Sequence, residues 1–419
     1  MTTVEQRMAS LAKKAREAAT PIGLLSTKEK DAALKALKES LVRNHDRILD
    51  ANHEDIELAK KGGRPAAFID RLKMDDSRIA AMVDGVNIIQ HLKDPIGRVL
   101  EERTLHNGLR LQKVAVPIGV VLMIFEARPN VVVDAASLCL KTGNVAVLRG
   151  GSDALNTNLA LMHTIHVALL HAGVPKDAVL YVEDPAHEAV DSLLLLDNDI
   201  DVVIPRGGEG LIRSVVEKSR IPVIKHYKGL CHTFIDKNAK LDMAVDIAIN
   251  AKVQRPGVCN AMETLLIHHD VAQEFLTRLA PRLQEHGVEV RGCDRTKAVL
   301  VWAKKATIKD FDTEHLDLIL SVKVVDDMDE AIAHIRKHGS GHSEAIVTEE
   351  RKTAERFLRE IDASAVFWNA STRFNDGFEF GMGAELGIST QKLHARGPMG
   401  LAELTSYKYL LRGAGQIRG

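Results

Sequence analysis

The sequence predicts an α/β protein with two doubly wound domains and a small extra β element. Three observations predict it. The chain has 419 residues, more than the ~250–300 at which a single hydrophobic core stops growing. From about residue 99, short apolar, β-branched runs alternate with amphipathic stretches, the pattern of parallel strands covered by helices on both faces. One loop, Gln254-Arg-Pro-Gly-Val-Cys-Asn-Ala-Met-Glu263, interrupts the second half of this pattern and carries a cysteine.

Bulk composition excludes several classes. Hydrophobic residues make up 45% and charged residues 27%, with a formal net charge of −1, so no field favours nucleic acid or an anionic membrane. No apolar run approaches the ~18–20 residues of a membrane span. The start lacks a charged segment followed by an apolar one, so no secretory leader is read. Cys139, Cys231, Cys259 and Cys293 are widely spaced, with no Cys-x-x-Cys pair, which fits reduced thiols and a cytoplasmic protein better than disulfides or zinc.

Residues 1 to about 90 read as amphipathic helices. Ser26 with Glu29 forms a capping box ahead of Ala32–Leu37, and Pro21/Gly23 and Gly62–Pro65 mark the breaks. Thr104–Val114 reads as a hairpin turning on the two residues Asn107-Gly108. Strands follow at Gly119–Phe125, Asn144–Leu148, Val179–Val182, Val202–Ile204 and Pro222–Ile224, with helices at Val131–Lys141, about Asp153–Ala172 and after Gly210. A second set follows Gly229. It comprises strands at Thr233–Ile235, Thr264–Ile267, Leu318–Val325, Ala345–Val347 and Ala365–Phe367, and helices at Leu241–Lys252, Val271–His286, Asp329–His338 and Arg351–Glu360. The tail is strand-like at Tyr407–Leu411.

The chemistry centres on Cys259. Pro256 and Gly257 force a turn just before it, and Arg255 is close in sequence. A turn with a nearby cation suits a thiolate nucleophile, although a small buried cysteine has the same sequence appearance. No Gly-x-Gly-x-x-Gly or P-loop pattern is present. Two diglycine loops, Arg149-Gly150-Gly151 and Arg206-Gly207-Gly208, lie between strand and helix. They read either as tight turns or as places where backbone meets a phosphate, with the arginines favouring NADPH over NADH. Asn130 ends Glu126-Ala-Arg-Pro-Asn130 at the carboxyl end of a buried strand. Two roles suit it, and they are compatible: donating to an oxyanion and capping the helix from Val131. His338 and His342 lie four apart in a glycine loop, a poor metal site; His342 is instead a substrate contact or part of a turn. Asn369 and Arg373, in Asn369-Ala-Ser-Thr-Arg-Phe374, edge a donor-rich loop suited to a carboxylate or phosphate. Arg128, Arg255 and Arg373 are the cations available to substrate.

Taken together, these segments resemble the aldehyde dehydrogenase superfamily over essentially the whole chain. The most specific are Glu126–Asn130, Gln254–Asn260, Val325–Ile346 with its His338-Gly-Ser-Gly-His-Ser-Glu344 core, and Leu393-His-Ala-Arg-Gly-Pro-Met-Gly400. The resemblance implies an NADP-binding domain at 1–103 and 115–229, a catalytic thiol domain at 230–395, and an oligomerisation element from 104–114 and 396–419. It implies Cys259 as nucleophile, with Asn130 and the Cys259 N–H as the oxyanion hole. Arg149 with Gly150 and Gly151 then meets the cofactor, and Glu314 lies near the nicotinamide ribose. No metal is implied. Relatives that oxidise aldehydes carry a glutamate base where this chain has Lys225-His-Tyr-Lys-Gly-Leu-Cys231, without a carboxylate. A thioester meant for hydrolysis needs such a base; one formed from an acyl phosphate does not. The implied reaction is therefore NADPH-dependent reduction of L-glutamyl 5-phosphate to L-glutamate 5-semialdehyde in proline biosynthesis. The implied protein is a homo-oligomer, with glutamate 5-kinase a further candidate partner. An aldehyde-oxidising enzyme and a non-catalytic binding protein are the alternatives.

Overall fold

The computed structural model describes residues 2–225 and 227–418. The chain forms two compact units, one of residues 1–225, 381–387 and 399–419, the other of residues 226–380 and 388–398.

The first unit opens with the helices Thr3–Gly23, Thr27–Arg43, His45–Lys61, Ala66–Leu72 and Asp76–His91. The predicted capping box is present: Glu29 N donates to Ser26 Oγ at 3.3 Å, and Ser26 N to Glu29 Oε2 at 2.7 Å. Strands β1 (Val99–Thr104) and β2 (Arg110–Pro117) form the predicted antiparallel hairpin. Its turn differs from the expected two-residue type. Leu105 N donates to Leu109 O at 2.8 Å and Gly108 N to Leu105 O at 2.9 Å, so three residues close it, with Gly108 at φ 83°. Glycine supplies the left-handed residue that a three-residue hairpin needs.

Four buried parallel strands follow: β3 (Val120–Phe125), β4 (Val145–Arg149), β5 (Val179–Tyr181) and β6 (Val202–Arg206), in the order β5-β4-β3-β6. Pro222–Ile224, expected as a strand, contributes only a bridge between Val223 and Val203; its proline cannot donate to a ladder. A short helix, His187–Leu193, was not foreseen.

The second unit holds a seven-stranded parallel sheet. Its strands are β7 (Cys231–Ile235), β8 (Met262–His268), β9 (Glu289–Gly292), β10 (Lys304–Lys305), β11 (Ile319–Val325), β12 (Ser343–Val347) and β13 (Ala365–Trp368). They lie in the order β10-β9-β11-β8-β7-β12-β13. The short β9 and β10 escaped the sequence reading because they lack a β-branched run. The helix His269–Glu285 packs Phe275, Leu276, Leu279 and Leu283, at helical spacing, into the same core as Leu265, Ile267 and Val322 of β8 and β11. A two-residue pair, β14 (Ile388–Ser389) with β15 (Gly397–Pro398), belongs to this unit. The last strand, β16 (Thr405–Arg412), returns to the first unit and pairs antiparallel with β2. Nearby, Asn144 Nδ2 donates to Leu404 O at 2.8 Å.

The second core also encloses an ion pair. Lys252 Nζ lies 2.8 Å from Glu263 Oε2, with side chains 0% and 1% exposed, and Leu316 N donates to Glu263 Oε1 at 3.0 Å. Burial pushes Glu263 up to about 7 and lowers Lys252, against the attraction between them. Lys252→Met strands the carboxylate and is expected to cost about 3–5 kcal/mol in urea unfolding, with much of that recovered in Lys252→Met/Glu263→Leu. A carboxyl whose folded pKa is raised loses its contribution as pH climbs through that value. The single variant's deficit is therefore expected to be larger above neutrality than below it.

Candidate active site

In the first unit, three loops leave the carboxyl ends of β3, β4 and β6, the edge at which open parallel sheets bind ligands. The loop after β3 carries Glu126, Arg128 and Asn130. That after β4 carries Arg149–Gly151, and that after β6 carries Arg206–Gly208. They pack closely. A side chain at Gly150 would come within 2.3 Å of Asn158 Nδ2, and one at Gly207 within 2.7 Å of Glu126. At Gly151 the nearest atoms are backbone of Glu126 and Ala127 at 3.6 Å.

The two diglycine loops differ in what they offer. Arg149 is buried; its Nη2 donates to Pro185 O at 2.8 Å, while its Nε has no hydrogen-bond partner among the described residues. A buried donor left open at the edge of a sheet is chemistry that an anionic ligand satisfies. The second loop is already occupied. Gly208 N donates to Glu126 Oε2 at 3.2 Å, and the Arg206 guanidinium packs on the backbone of Gly387, where a side chain would come within 2.7 Å of Nη1. Of the two loops, Arg149–Gly151 is the more open cradle.

Asn130 is exposed and is the first residue of the helix Asn130–Lys141, not its cap; Pro129 stands at the cap without a side-chain bond. Its Nδ2 donates to Asp134 Oδ2, one turn on, at 2.9 Å. A carboxylate accepts only, so the pairing turns the amide nitrogen, not the oxygen, toward Asp134. Enclosure of that carboxyl pushes Asp134 up to about 6, although the residue keeps some exposed surface. Arg128 is exposed on the same loop.

In the second unit Cys259 lies three residues before β8, at the amino-terminal edge of the seven-stranded sheet. Its carbonyl is held from two sides. A side chain at Gly229 would sit 1.9 Å from the Cys259 oxygen, and Cys231 Sγ donates to that oxygen at 3.1 Å. Gly229 N donates to Glu314 Oε1 at 2.9 Å, and Leu230 N to Ser340 Oγ at 3.0 Å. The loop thus starts from a fixed backbone. Within the segment read as lacking a base, His226 lies outside the described residues.

Cys259 differs in exposure from Cys139 and Cys231. Burial pushes the Cys139 thiol up to about 12 and raises Cys231 well above the usual thiol range. Cys293 Sγ accepts from Val324 N at 3.4 Å and lies 3.3 Å from Thr296 Oγ1. Cys259 is half-buried, next to Asn260, which accepts from Arg373.

The substrate candidates fall into two groups. Arg255 is exposed on the thiol loop. His342, Asn369 and Arg373 are tied into the fold. His342 is 0% exposed, with Nδ1 2.8 Å from Ser343 Oγ and 3.7 Å from Cys231 Sγ. It lies in the buried layer behind the thiol loop. Asn369, at φ 53°, accepts from Thr348 N and donates to Thr348 O, both at 3.0 Å. Its amide thereby extends the sheet as a backbone unit would. Arg373 Nε donates to Gln254 Oε1 at 2.8 Å, and its Nη1 to Asn260 Oδ1. Sequence reasoning missed Gly229, Cys231 and Asp134. Only Asp134 carried a readable signal, its spacing of four from Asn130.

Comparison with known proteins extends the geometry. The aldehyde dehydrogenase family matches residues 2–301 and 296–409. A gamma-glutamyl phosphate reductase of Caldanaerobacter subterraneus subsp. tengcongensis is 52% identical over 407 residues, covering 97% of this chain and 98% of that one. One from Carboxydothermus hydrogenoformans is 53% identical over 410 residues, covering 98% and 99%. The crystal structure of gamma-glutamyl phosphate reductase from Thermotoga maritima superposes with a TM-score of 0.96 at 46% identity, over 98% of this chain and 100% of that one. With its parallel sheets, its cysteine loop and these relatives, the chain belongs to the aldehyde dehydrogenase family, on its gamma-glutamyl phosphate reductase branch.

Proposed function

We propose that the chain reduces L-glutamyl 5-phosphate to L-glutamate 5-semialdehyde with release of phosphate, a step of proline biosynthesis. The observation that carries this reading is identity of 52% over nearly the full length of a gamma-glutamyl phosphate reductase. The absence of a carboxylate from Lys225–Cys231 supports it, since a base there would admit hydrolysis of the thioester.

In this reading the Cys259 thiolate attacks the γ-acyl carbon, the bond from that carbon to the phosphate oxygen breaks, and inorganic phosphate leaves. NADPH, held by Arg149, Gly150 and Gly151, would supply a hydride to the acyl carbon of the Cys259 thioester. The sulfur–carbon bond then breaks, and Cys259 returns as thiolate while the aldehyde departs. Asn130 Nδ2 and the Cys259 N–H are assigned to the oxyanion, a role for which one donor is worth ~3–4 kcal/mol. Arg149, Gly150 and Gly151 are assigned to the cofactor, on the strength of the open Arg149 Nε. Gly207, Gly208 and Arg206 stand behind them, and Glu314 is kept for the nicotinamide ribose. Arg128 and Arg255 are assigned to the phosphate and carboxylate of the substrate.

The first unit is read as the cofactor domain and the second as the thiol domain. β1, β2 and β16 form the oligomerisation element of a homo-oligomer. Val99, Leu100, Tyr407, Tyr409 and Leu411 stand exposed on this small sheet, an apolar patch suited to a second copy of the chain. Among the described residues no helix is long and apolar enough to cross a membrane, and a cytoplasmic location fits the four free cysteines. Glutamate 5-kinase, which makes the acyl phosphate, is the natural functional partner.

Reverse turnover tests the reaction. With glutamate 5-semialdehyde and NADP⁺, NADPH is expected only when inorganic phosphate is present; equal formation without phosphate would mean that water resolves the thioester. Cys259→Ala is expected to abolish turnover and leave NADPH binding, followed by fluorescence, intact. Asn130→Ala is expected to lower kcat by ~10²–10³. Gly229→Ala forces a methyl group onto the Cys259 carbonyl. Displacement of the loop by about 1 Å is expected to lower kcat by ~10², read alongside near-native circular dichroism.

A further inference from the structure

The loop from Gln254 to Asn260 lies outside helix and strand. Pro256 and Gly257 break regular structure, and the backbone bonds at its ends run from Gln254 N to Asn250 O at 3.3 Å and from Ala261 N to Val258 O at 3.1 Å. A second segment, Ser371–Asn375, grips it. Arg373 Nε donates to Gln254 Oε1 at 2.8 Å, at the start of the loop, and Arg373 Nη1 donates to Asn260 Oδ1 at its close. Asn260 Nδ2 donates back to Arg373 O at 3.3 Å and to Asn375 O at 2.9 Å, and Thr372 Oγ1 donates to Asn260 O at 2.8 Å.

We infer that Arg373 is a positioning residue for the nucleophile, a guanidinium brace that joins both ends of the Cys259 loop and is not a ligand for substrate. This inference rests on the reading of Cys259 as nucleophile. Three features support it. Two donors of one rigid planar group reach residues six apart, which a lysine, a single point of charge on a flexible stem, does not reproduce. Asn260 closes the circuit by bonding the backbone of the arginine that it accepts from, so loop and brace fix each other. The guanidinium is also set in protein: burial lowers its pKa, against the opposing charge of Asp376, with Arg255 adding to the lowering. An arginine committed in this way serves a loop that must present one sulfur in one place, where small misplacement is costly in rate.

A substrate ligand and a brace predict different kinetics. Arg373→Met and Arg373→Lys are each expected to lower kcat for reverse turnover by ~10², with KM for glutamate 5-semialdehyde and for phosphate changed little. Each is also expected to slow alkylation of Cys259 by iodoacetamide in the substrate-free enzyme. Gln254→Ala cuts one arm at an exposed residue; it is expected to act in the same direction, and to add little in the Arg373→Met background. If Arg373→Met fails to fold, Gln254→Ala carries the test through its kcat and alkylation rate. A raised KM in Arg373→Met that Arg373→Lys restores would make the residue a charge ligand and overturn the inference. Unchanged kcat and alkylation rate would do the same. Cys259→Ala separates the two levels. If that variant still turns over, the nucleophile assignment itself fails; if it is inactive while Arg373→Met is fully active, only the brace fails.

Discussion

The space beside Gly229 is taken by the Cys259 carbonyl, and the geometry of the thiol loop follows from that close approach. Any side chain at position 229 would overlap the carbonyl oxygen, so the backbone entering β7 and the turn before β8 lie in direct contact. Cys231, the first residue of β7, donates to the same oxygen. Adjacent parallel strands begin side by side, so their amino-terminal ends bring Gly229–Cys231 and Cys259–Met262 together without a dedicated scaffold. The nucleophile loop is thus an extension of sheet register, and Arg373 secures what register alone leaves loose.

Behind this edge, polar groups are buried with few partners to spare. His232 Nδ1 lies 2.9 Å from Glu344 Oε2, both residues 0% exposed, and burial raises the Glu344 carboxyl. Lys252, on the helix that leads into the thiol loop, and Glu263, in the strand that leaves it, form a second such pair. Interior charge of this kind contributes little net stability compared with an apolar core of equal volume. Each pair ties two elements together, His232 of β7 to Glu344 of β12 and Lys252 to Glu263 of β8.

The sequence exposed whatever depends on local pattern. The alternation of apolar runs and amphipathic helices located nearly every long element, and Ser26 with Glu29 marked a helix start that the structure reproduces. Cys259 stood out because Pro256 and Gly257 announce a turn. What stayed hidden depends on residues distant in sequence. Nothing local in Gly229 tells that a carbonyl thirty residues on needs its missing side chain. Arg373 and Asn369 read as donors for a ligand, yet the fold satisfies both internally. His342 read as a loop residue and proved fully enclosed. Arg206, like Arg149, sits between a strand and a helix, but Glu126 and Gly387 fill the surroundings of its loop. Cationic and amide side chains near a reactive residue are ambiguous in this respect, since bracing a loop and holding an anion call for the same donors.

The return of the C-terminal strand to β2 has a consequence for synthesis. β2 ends at Pro117, and its second partner, β16, begins at Thr405; Asn144 likewise waits for Leu404. A ribosome making this chain exposes the whole of residues 226–380 before the first unit receives its last strand. Through that interval one edge of β2 offers unpaired backbone groups. The nascent chain must protect that edge until residues 405–412 emerge, and removal of those residues leaves the edge open permanently.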